Sequence, residues 1–210
     1  MAKYVSEFLG TAFLFCAVVG SGIMGEKLNP ENDQLTLLTN TLATVFALYF
    51  LISSLQPFST HFNPAVSFVL WVKGEISVKT CTGFVILQIA GAIAGVLLAN
   101  YMFGIEPVNF SEKTRSGTNL FVSEIFATFG LLLVILLSTK EKVAAGVAAY
   151  IGGAYWFTSS TSFANPAGTI GRAFSDTFAG ISPDDVLAFC CAQVAGSFLA
   201  FLLYSKISSK

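Results

Sequence analysis

The sequence predicts an all-α membrane protein with six transmembrane helices and two re-entrant half-helices, arranged as an inverted repeat. Of the 210 residues, 54% are hydrophobic and only 11% are charged, whereas a soluble domain carries about 25% charged residues. Six apolar segments are long enough to cross a bilayer, which takes about 20 helical residues. Two further apolar stretches are half as long, and each begins with the triplet Asn-Pro-Ala.

Short polar or charged connectors separate the six predicted spans, so residues 1–210 form a single membrane domain surrounded by lipid. A nucleic-acid partner is excluded, because the net charge is −1 and no run rich in Lys and Arg occurs. The predicted spans are residues 4–24, 35–55, 80–103, 119–138, 143–161 and 185–205.

Six spans place both chain termini on the same side of the membrane. With both termini in the cytoplasm, the inner segments hold seven of the 11 basic residues. The positive-inside rule therefore favours a multi-pass protein of the cell (inner or plasma) membrane with cytoplasmic termini. The four basic residues of the outer segments are Lys27, Lys113, Arg115 and Arg172.

The two half-length stretches, residues 63–71 and 165–174, are too short to cross the membrane. Nine or ten helical residues extend about 15 Å, which is half the hydrocarbon thickness. Both stretches are also too apolar for ordinary loops, so they are predicted to be re-entrant half-helices.

The two halves of the chain repeat each other. "SEFLGTAFL" at 6–14 is similar to "SEIFATFGL" at 123–131, and "LQIAG" at 87–91 is similar to "AQVAG" at 192–196. The Asn-Pro-Ala triplets occur in the same order. Each half has three spans, an odd number, so the second copy is inverted and the half-helices enter from opposite faces. The predicted repeats are residues 1–103 and 118–210, joined by a linker at 104–117.

The Asn-Pro-Ala triplets are suited to starting a helix where water is scarce. Asn is a preferred N-cap residue, Pro is favoured at the first helical position, and Ala adds no bulk. If the two half-helices meet at the midplane, their positive dipole ends create a polar waist that repels cations. The predicted waist residues are Asn63, Pro64, Ala65, Asn165, Pro166 and Ala167.

With six spans, two triplets and a glutamate in the first span of each half, the chain resembles the major intrinsic protein family of aquaporins and glycerol facilitators. The resemblance implies an aquaporin-like fold, passive conduction of water and small neutral solutes, a homotetramer of independent pores, and no cofactor. The alternative is a secondary transporter, which also uses inverted repeats and broken helices. An enzyme is not expected, because no nucleophile–base pair and no metal cluster occurs.

Glu7 and Glu124 occupy matching positions in the first span of each repeat. An ionised carboxylate at the bilayer centre costs about 2.5–3.5 kcal/mol, so these side chains need partners. The resemblance implies that they brace the two Asn-Pro-Ala loops; snorkelling of Glu7 and proton transport are the alternatives. His61 is expected to line or brace the inner pore mouth, and a single histidine predicts no metal site.

The resemblance places the outer filter at four small residues, with Leu42 or Thr44 as one-residue alternatives to the first of them. The arginine that commonly follows the second triplet in the family is absent, and Thr169 replaces the aspartate of the glycerol-facilitator branch. The implied filter is wide and admits glycerol, urea and undissociated metalloid acids such as arsenite, as in a similar bacterial subgroup. The four positions are Ala43, Gly153, Ser162 and Gly168.

Arg172 is the remaining candidate for a charge in the outer pore. It follows Gly168 by four residues and therefore lies on the same helix face. Helical side chains lean toward the N-terminus, so the guanidinium could reach back toward the filter. An i,i+4 pair with Asp176 is the alternative.

Overall fold

The computed structural model describes residues 1–208 and contains eight helices in that part of the chain. Numbered α1 to α8, they are Ala2–Leu28, Asp33–Leu55, Pro64–Val72, Val78–Met102, Thr118–Leu137, Val143–Phe157, Pro166–Arg172 and Pro183–Ser208. Each predicted span and each predicted half-helix corresponds to one of these helices. The chain is therefore an all-α protein of six longer helices and two half-helices, in the predicted order.

Five of the helices within residues 1–208 are long and apolar enough to cross a membrane: α1, α2, α4, α5 and α8. The sixth span is shorter than predicted, because α6 ends at Phe157 instead of residue 161 and has only 15 residues. Its end coincides with a run of Ser and Thr, residues that compete with helical hydrogen bonding. The Thr158 hydroxyl donates to the carbonyl of Ala154 at 2.6 Å, and Thr158 itself has an extended backbone that ends the helix.

The second half-helix is also shorter than predicted. α7 has seven residues and ends at Arg172, whereas the sequence predicted a helix to residue 174. The linker explains this early end, since Ser111 and Asn109 donate their backbone N–H groups to the carbonyls of Ala173 and Phe174 at 3.0 and 3.3 Å. The predicted linker is thus packed against the outer end of α7.

Glycines allow the helices of each half to pack closely. α1 packs against α2 and α4, α5 packs against α6 and α8, and α2 contacts α6. A β-carbon at Gly91 or Gly95 of α4 would overlap the backbone of α1, and one at Gly196 of α8 would overlap the backbone of α5 at Ile125. The same close approach therefore occurs in both halves.

The half-helices join the two halves of the molecule. α7 packs against α4 of the first half, and α3 packs against α8 of the second half. The remaining outward faces carry large apolar side chains, such as Phe13 and Phe126, as a lipid-facing surface requires. The four cysteines are free; Cys81 is buried, Cys16 and Cys190 are half-buried, and Cys191 is exposed.

Candidate functional site

A cavity of about 440 Å³ passes the point where the two half-helices meet. Lys3, Thr60 and His61 line one end, which is called the inner mouth because it lies beside the N-terminus. Arg172 lines the other end, called the outer mouth, together with Ser162 and Phe163. Both Asn63 and Asn165 line the cavity between the two mouths. The apolar walls come from α1, α2, α3, α5 and α6.

The structure brings the two predicted waist asparagines together. The Asn63 Oδ1 accepts the backbone N–H of Ala65 at 2.9 Å, and its Nδ2 donates to the carbonyl of Ala164 at 2.7 Å. The Asn165 Oδ1 accepts the N–H of Ala167 at 3.0 Å, and its Nδ2 donates to the carbonyl of Phe62 at 2.8 Å.

Each asparagine thus caps its own half-helix and bonds to the loop that precedes the other half-helix. Each Nδ2 carries two N–H donors and uses one of them within residues 1–208. Each amide therefore keeps a second N–H that no group within residues 1–208 accepts.

Glu124 holds the loop that leads into α7. Its two oxygens accept the backbone N–H groups of Phe163 and Ala164, each at 2.9 Å. The Gln193 Nε2 donates to the same carboxylate at 2.6 Å. The carboxylate is fully buried, and its charge is matched by three N–H donors.

Glu7 holds the loop that leads into α3 in the same way. Its oxygens accept the backbone N–H groups of His61 and Phe62 at 2.8 and 2.7 Å, and the Gln88 Nε2 at 2.7 Å. The Ser59 hydroxyl adds a fourth donor at 2.5 Å. Glu7 is fully buried, so the structure shows no snorkelling of this side chain toward the helix end.

The loops that carry the asparagines are strained. Phe62 and Ala164, which directly precede the two asparagines, have φ values of 49° and 47°. Thr161 and Ser162 also lie in the left-handed region, with φ values of 59° and 51°. Non-glycine residues adopt this region at a cost of about 1–2 kcal/mol each, and the carboxylate bonds of Glu7 and Glu124 offset that cost.

The four predicted outer-filter residues differ in how they lie relative to the cavity. Ser162 lines the cavity, but Ala43, Gly153 and Gly168 do not. Thr44, one of the two predicted alternatives to Ala43, lines the cavity instead. Gly153 is exposed on the opposite side of α6, and Gly168 is buried behind a side chain of α1.

Larger and more polar residues line the outer half of the cavity than the sequence predicted. Thr44 and Tyr155 are both buried, and their hydroxyls form a hydrogen bond of 3.1 Å between α2 and α6. Ser162 is 3% exposed, and its hydroxyl has no hydrogen-bond partner among residues 1–208. The outer end of the cavity therefore has hydroxyl groups on two sides.

Arg172 lies in the cavity wall and forms no pair with Asp176. Its Nε donates to the carbonyl of Ala179, and its guanidinium carbon lies 3.3 Å from the ring centroid of Phe163. Within residues 1–208 the Nη groups have no hydrogen-bond acceptor, although the side chain is only 4% exposed. Asp176 instead accepts the backbone N–H of Glu112 at 3.0 Å.

A second arginine, from the linker, contacts the same aromatic ring. The guanidinium of Arg115 lies 4.9 Å from the ring centroid of Phe163 and donates to the carbonyls of Gly180 at 2.7 Å and Phe178 at 3.3 Å. Burial lowers the pKa of Arg115 to about 10, so it stays protonated at neutral pH. Two positively charged side chains, those of Arg115 and Arg172, therefore contact the same aromatic ring near the outer mouth.

Sequence reasoning missed Phe15, Tyr155, Phe163 and Arg115. Tyr155 could have been noticed, since a hydroxyl inside an apolar span needs a polar partner or a pore. The other three carry no such signal, because phenylalanine is common in this chain and Arg115 lies in a polar linker.

Comparisons with known proteins identify the fold and the family of this chain. The family model described as "Major intrinsic protein" matches residues 1–158. The X-ray structure of the aquaglyceroporin from Plasmodium falciparum superimposes with a TM-score of 0.77, covering 98% of this chain and 96% of that chain at 22% identity. At this level of identity the likeness shows the shared fold.

Two curated relatives cover nearly the whole chain. Aquaglyceroporin AqpS of Rhizobium meliloti is 46% identical over 205 residues, which are 96% of this chain and 88% of the relative. Human Aquaporin-5 is 29% identical over 221 residues, covering 95% of this chain and 78% of the relative. With the family match extending over 158 of 210 residues, the chain belongs to the major intrinsic protein family.

Proposed function

We propose that this protein is a passive membrane channel through which water and small neutral solutes cross by way of the cavity between the two mouths. The observation that carries the proposal is the waist, where both asparagines line one cavity and point amide donors into it. The members of its family are channels, and this protein is likewise a channel and not an enzyme.

The waist favours neutral molecules over ions. Two helix N-termini meet there, and each contributes about half a positive charge. A neutral solute exchanges its water for the free N–H groups of Asn63 and Asn165, while a cation meets a positive potential and loses its hydration shell. Apolar side chains such as Leu48 and Val147 line the remaining wall and offer an ion no compensation.

The outer filter consists of Thr44, Tyr155, Ser162 and Arg172 in this proposal. Its hydroxyls and its guanidinium offer several donors to a solute that carries oxygen atoms. The expected solutes are water, glycerol, urea and undissociated metalloid acids such as arsenite. A relative at 46% identity is named an aquaglyceroporin, which supports glycerol among them.

The wider setting is also part of the proposal. We expect one channel domain of two inverted repeats, residues 1–103 and 118–210, assembled as a homotetramer of independent pores. The membrane is the cell (inner or plasma) membrane, with both termini in the cytoplasm. The charge distribution between the two sets of connectors supports this orientation.

Proteoliposomes test the function directly. Vesicles with purified protein should shrink and re-swell faster than empty vesicles under gradients of glycerol or urea, as measured by light scattering. The same fluxes are measured with and without a proton gradient. A passive channel gives equal fluxes, whereas flux driven against the solute gradient by protons would identify a secondary transporter.

A further inference from the structure

The ring of Phe15 lines the cavity and fills the space directly in front of Gly168. Gly168 directly follows the second Asn-Pro-Ala triplet, in the first turn of α7. A β-carbon at Gly168 would overlap Cζ and Cε1 of the Phe15 ring, which comes from α1. Phe15 is 4% exposed and lines the cavity. Any larger residue at position 168 would therefore have to displace this ring.

We propose that Phe15 is a specificity-determining residue, whose ring limits the width of the pore just outside the waist and depends on Gly168 for its place. The inference rests on the proposed channel function. In this proposal the ring of Phe15 narrows the filter. Arg172, which lies four residues beyond Gly168, supplies the hydrogen-bond donors. Gly168 and Arg172 lie four residues apart on α7, so their backbone positions are separated by a rise of about 6 Å along the helix axis.

The combination of an apolar ring and polar donors in one cavity favours a particular class of solute. The ring of Phe15 presents an apolar surface, while the hydroxyls of Thr44 and Tyr155 and the guanidinium of Arg172 line the same cavity. A small neutral solute with both a carbon skeleton and hydroxyl or amide groups can contact both kinds of surface. A longer polyol is hindered by the width that the ring leaves.

The experiment compares solutes of increasing size in proteoliposomes. Fluxes of water, glycerol and the longer polyol erythritol are measured for the wild-type protein and for Phe15→Ala. Loss of the ring should raise the ratio of erythritol to water permeability by roughly tenfold, equivalent to a small change in barrier height. Phe13→Ala is the matched control, because Phe13 lies on the same helix but is 60% exposed on its lipid-facing side.

A second substitution tests the dependence on Gly168. Gly168→Ala alone should displace the ring and lower both glycerol flux and the yield of folded protein. In the Phe15→Ala background the same substitution should be harmless, since the overlapping ring is gone. This non-additivity is the signature of two residues that share one space. Additive effects of the two substitutions would overturn the pairing.

The outcomes separate this inference from the channel proposal. Solute flux of the wild-type protein no faster than that of empty vesicles would refute the channel and the inference together. A conducting wild type whose size selectivity is unchanged in Phe15→Ala would overturn the role of Phe15 alone. If Phe15→Ala does not fold, Phe15→Leu replaces it. A smaller rise in the ratio of erythritol to water permeability is then expected. An unchanged ratio would again overturn the role of Phe15.

Discussion

The loop before α3 and the loop before α7 are held by equivalent groups, but the residue two positions before the asparagine is His61 in the first half and Phe163 in the second. Both residues donate a backbone N–H to the glutamate of their own half. The His61 Nδ1 lies 3.0 Å from the Ser67 hydroxyl, so this side chain extends the polar bracing. The ring of Phe163 instead contacts two arginines.

The two loops share the groups that hold them in place but differ in the side chains at the two mouths of the cavity. The glutamate, the glutamine and the asparagine recur in both halves, and they fix the loops. The outer mouth adds two cations on an aromatic ring, whereas the inner mouth has a histidine bonded to a serine. We therefore infer that solutes are selected at the outer mouth, and four substitutions test this comparison.

The largest effect is expected from Asn165→Asp. Asp is as good an N-cap as Asn, so α7 should still form. The new carboxylate places a negative charge at the waist and removes the donor to the Phe62 carbonyl. We expect a cation current in planar bilayers where the wild-type protein has none, and a similar current in Asn63→Asp. A cation-tight pore in both variants would contradict a shared waist.

The next largest effect is expected from Glu124→Gln. Glutamine has one acceptor oxygen where glutamate has two, so the N–H of Phe163 or of Ala164 loses its acceptor. A buried unsatisfied donor costs about 1–3 kcal/mol. Thermal denaturation in detergent should show a lower midpoint, and proteoliposomes should show lower water flux with unchanged relative solute permeabilities.

Glu7→Gln is the matched comparison and should be milder. Two of its donors, Ser59 and His61, are only half-buried, so water can replace the lost acceptor. Equal destabilisation of the two variants would show that water does not reach the first loop. A changed selectivity in Glu124→Gln at normal stability would place that carboxylate in the pore lining.

Arg172→Ala should alter which solutes pass while leaving the waist intact. The variant removes the unpaired Nη donors from the outer mouth, so glycerol flux should change severalfold relative to water. Arg115→Ala is the control, because this arginine contacts the same ring but does not line the cavity. Light scattering measures both. An equal change in the two variants would mean that Arg172 acts only through the ring.

The smallest effect is expected from Phe163→Leu. Leucine keeps most of the apolar volume but removes the ring face beneath the two guanidinium groups, a contribution of about 1 kcal/mol for each contact. The expected result is a slightly lower midpoint of thermal unfolding and a modest change in glycerol flux. His61→Leu is the matched inner variant, for which we expect a lower midpoint and unchanged solute selectivity.

Much of the fold and of the waist could be predicted from the sequence, because their signals are local. Apolar segments of membrane-spanning length mark the helices, and Asn-Pro-Ala marks the helix starts that the structure contains. The filter could not be predicted in the same way. One residue of helix rotation exchanges Ala43 for Thr44, and no sequence pattern indicates that Phe15 would fill the space left by Gly168.

The two hydrogen bonds that Asn63 and Asn165 donate to each other's loops have a consequence for the insertion of the chain into the membrane. The donor of Asn63 has its acceptor 101 residues further along the chain, and the acceptor for Asn165 was synthesised 103 residues before it. During biogenesis the first half-helix therefore inserts before its partner loop exists. Completion of the waist is accordingly a late step, which begins only once the ribosome has passed residue 165.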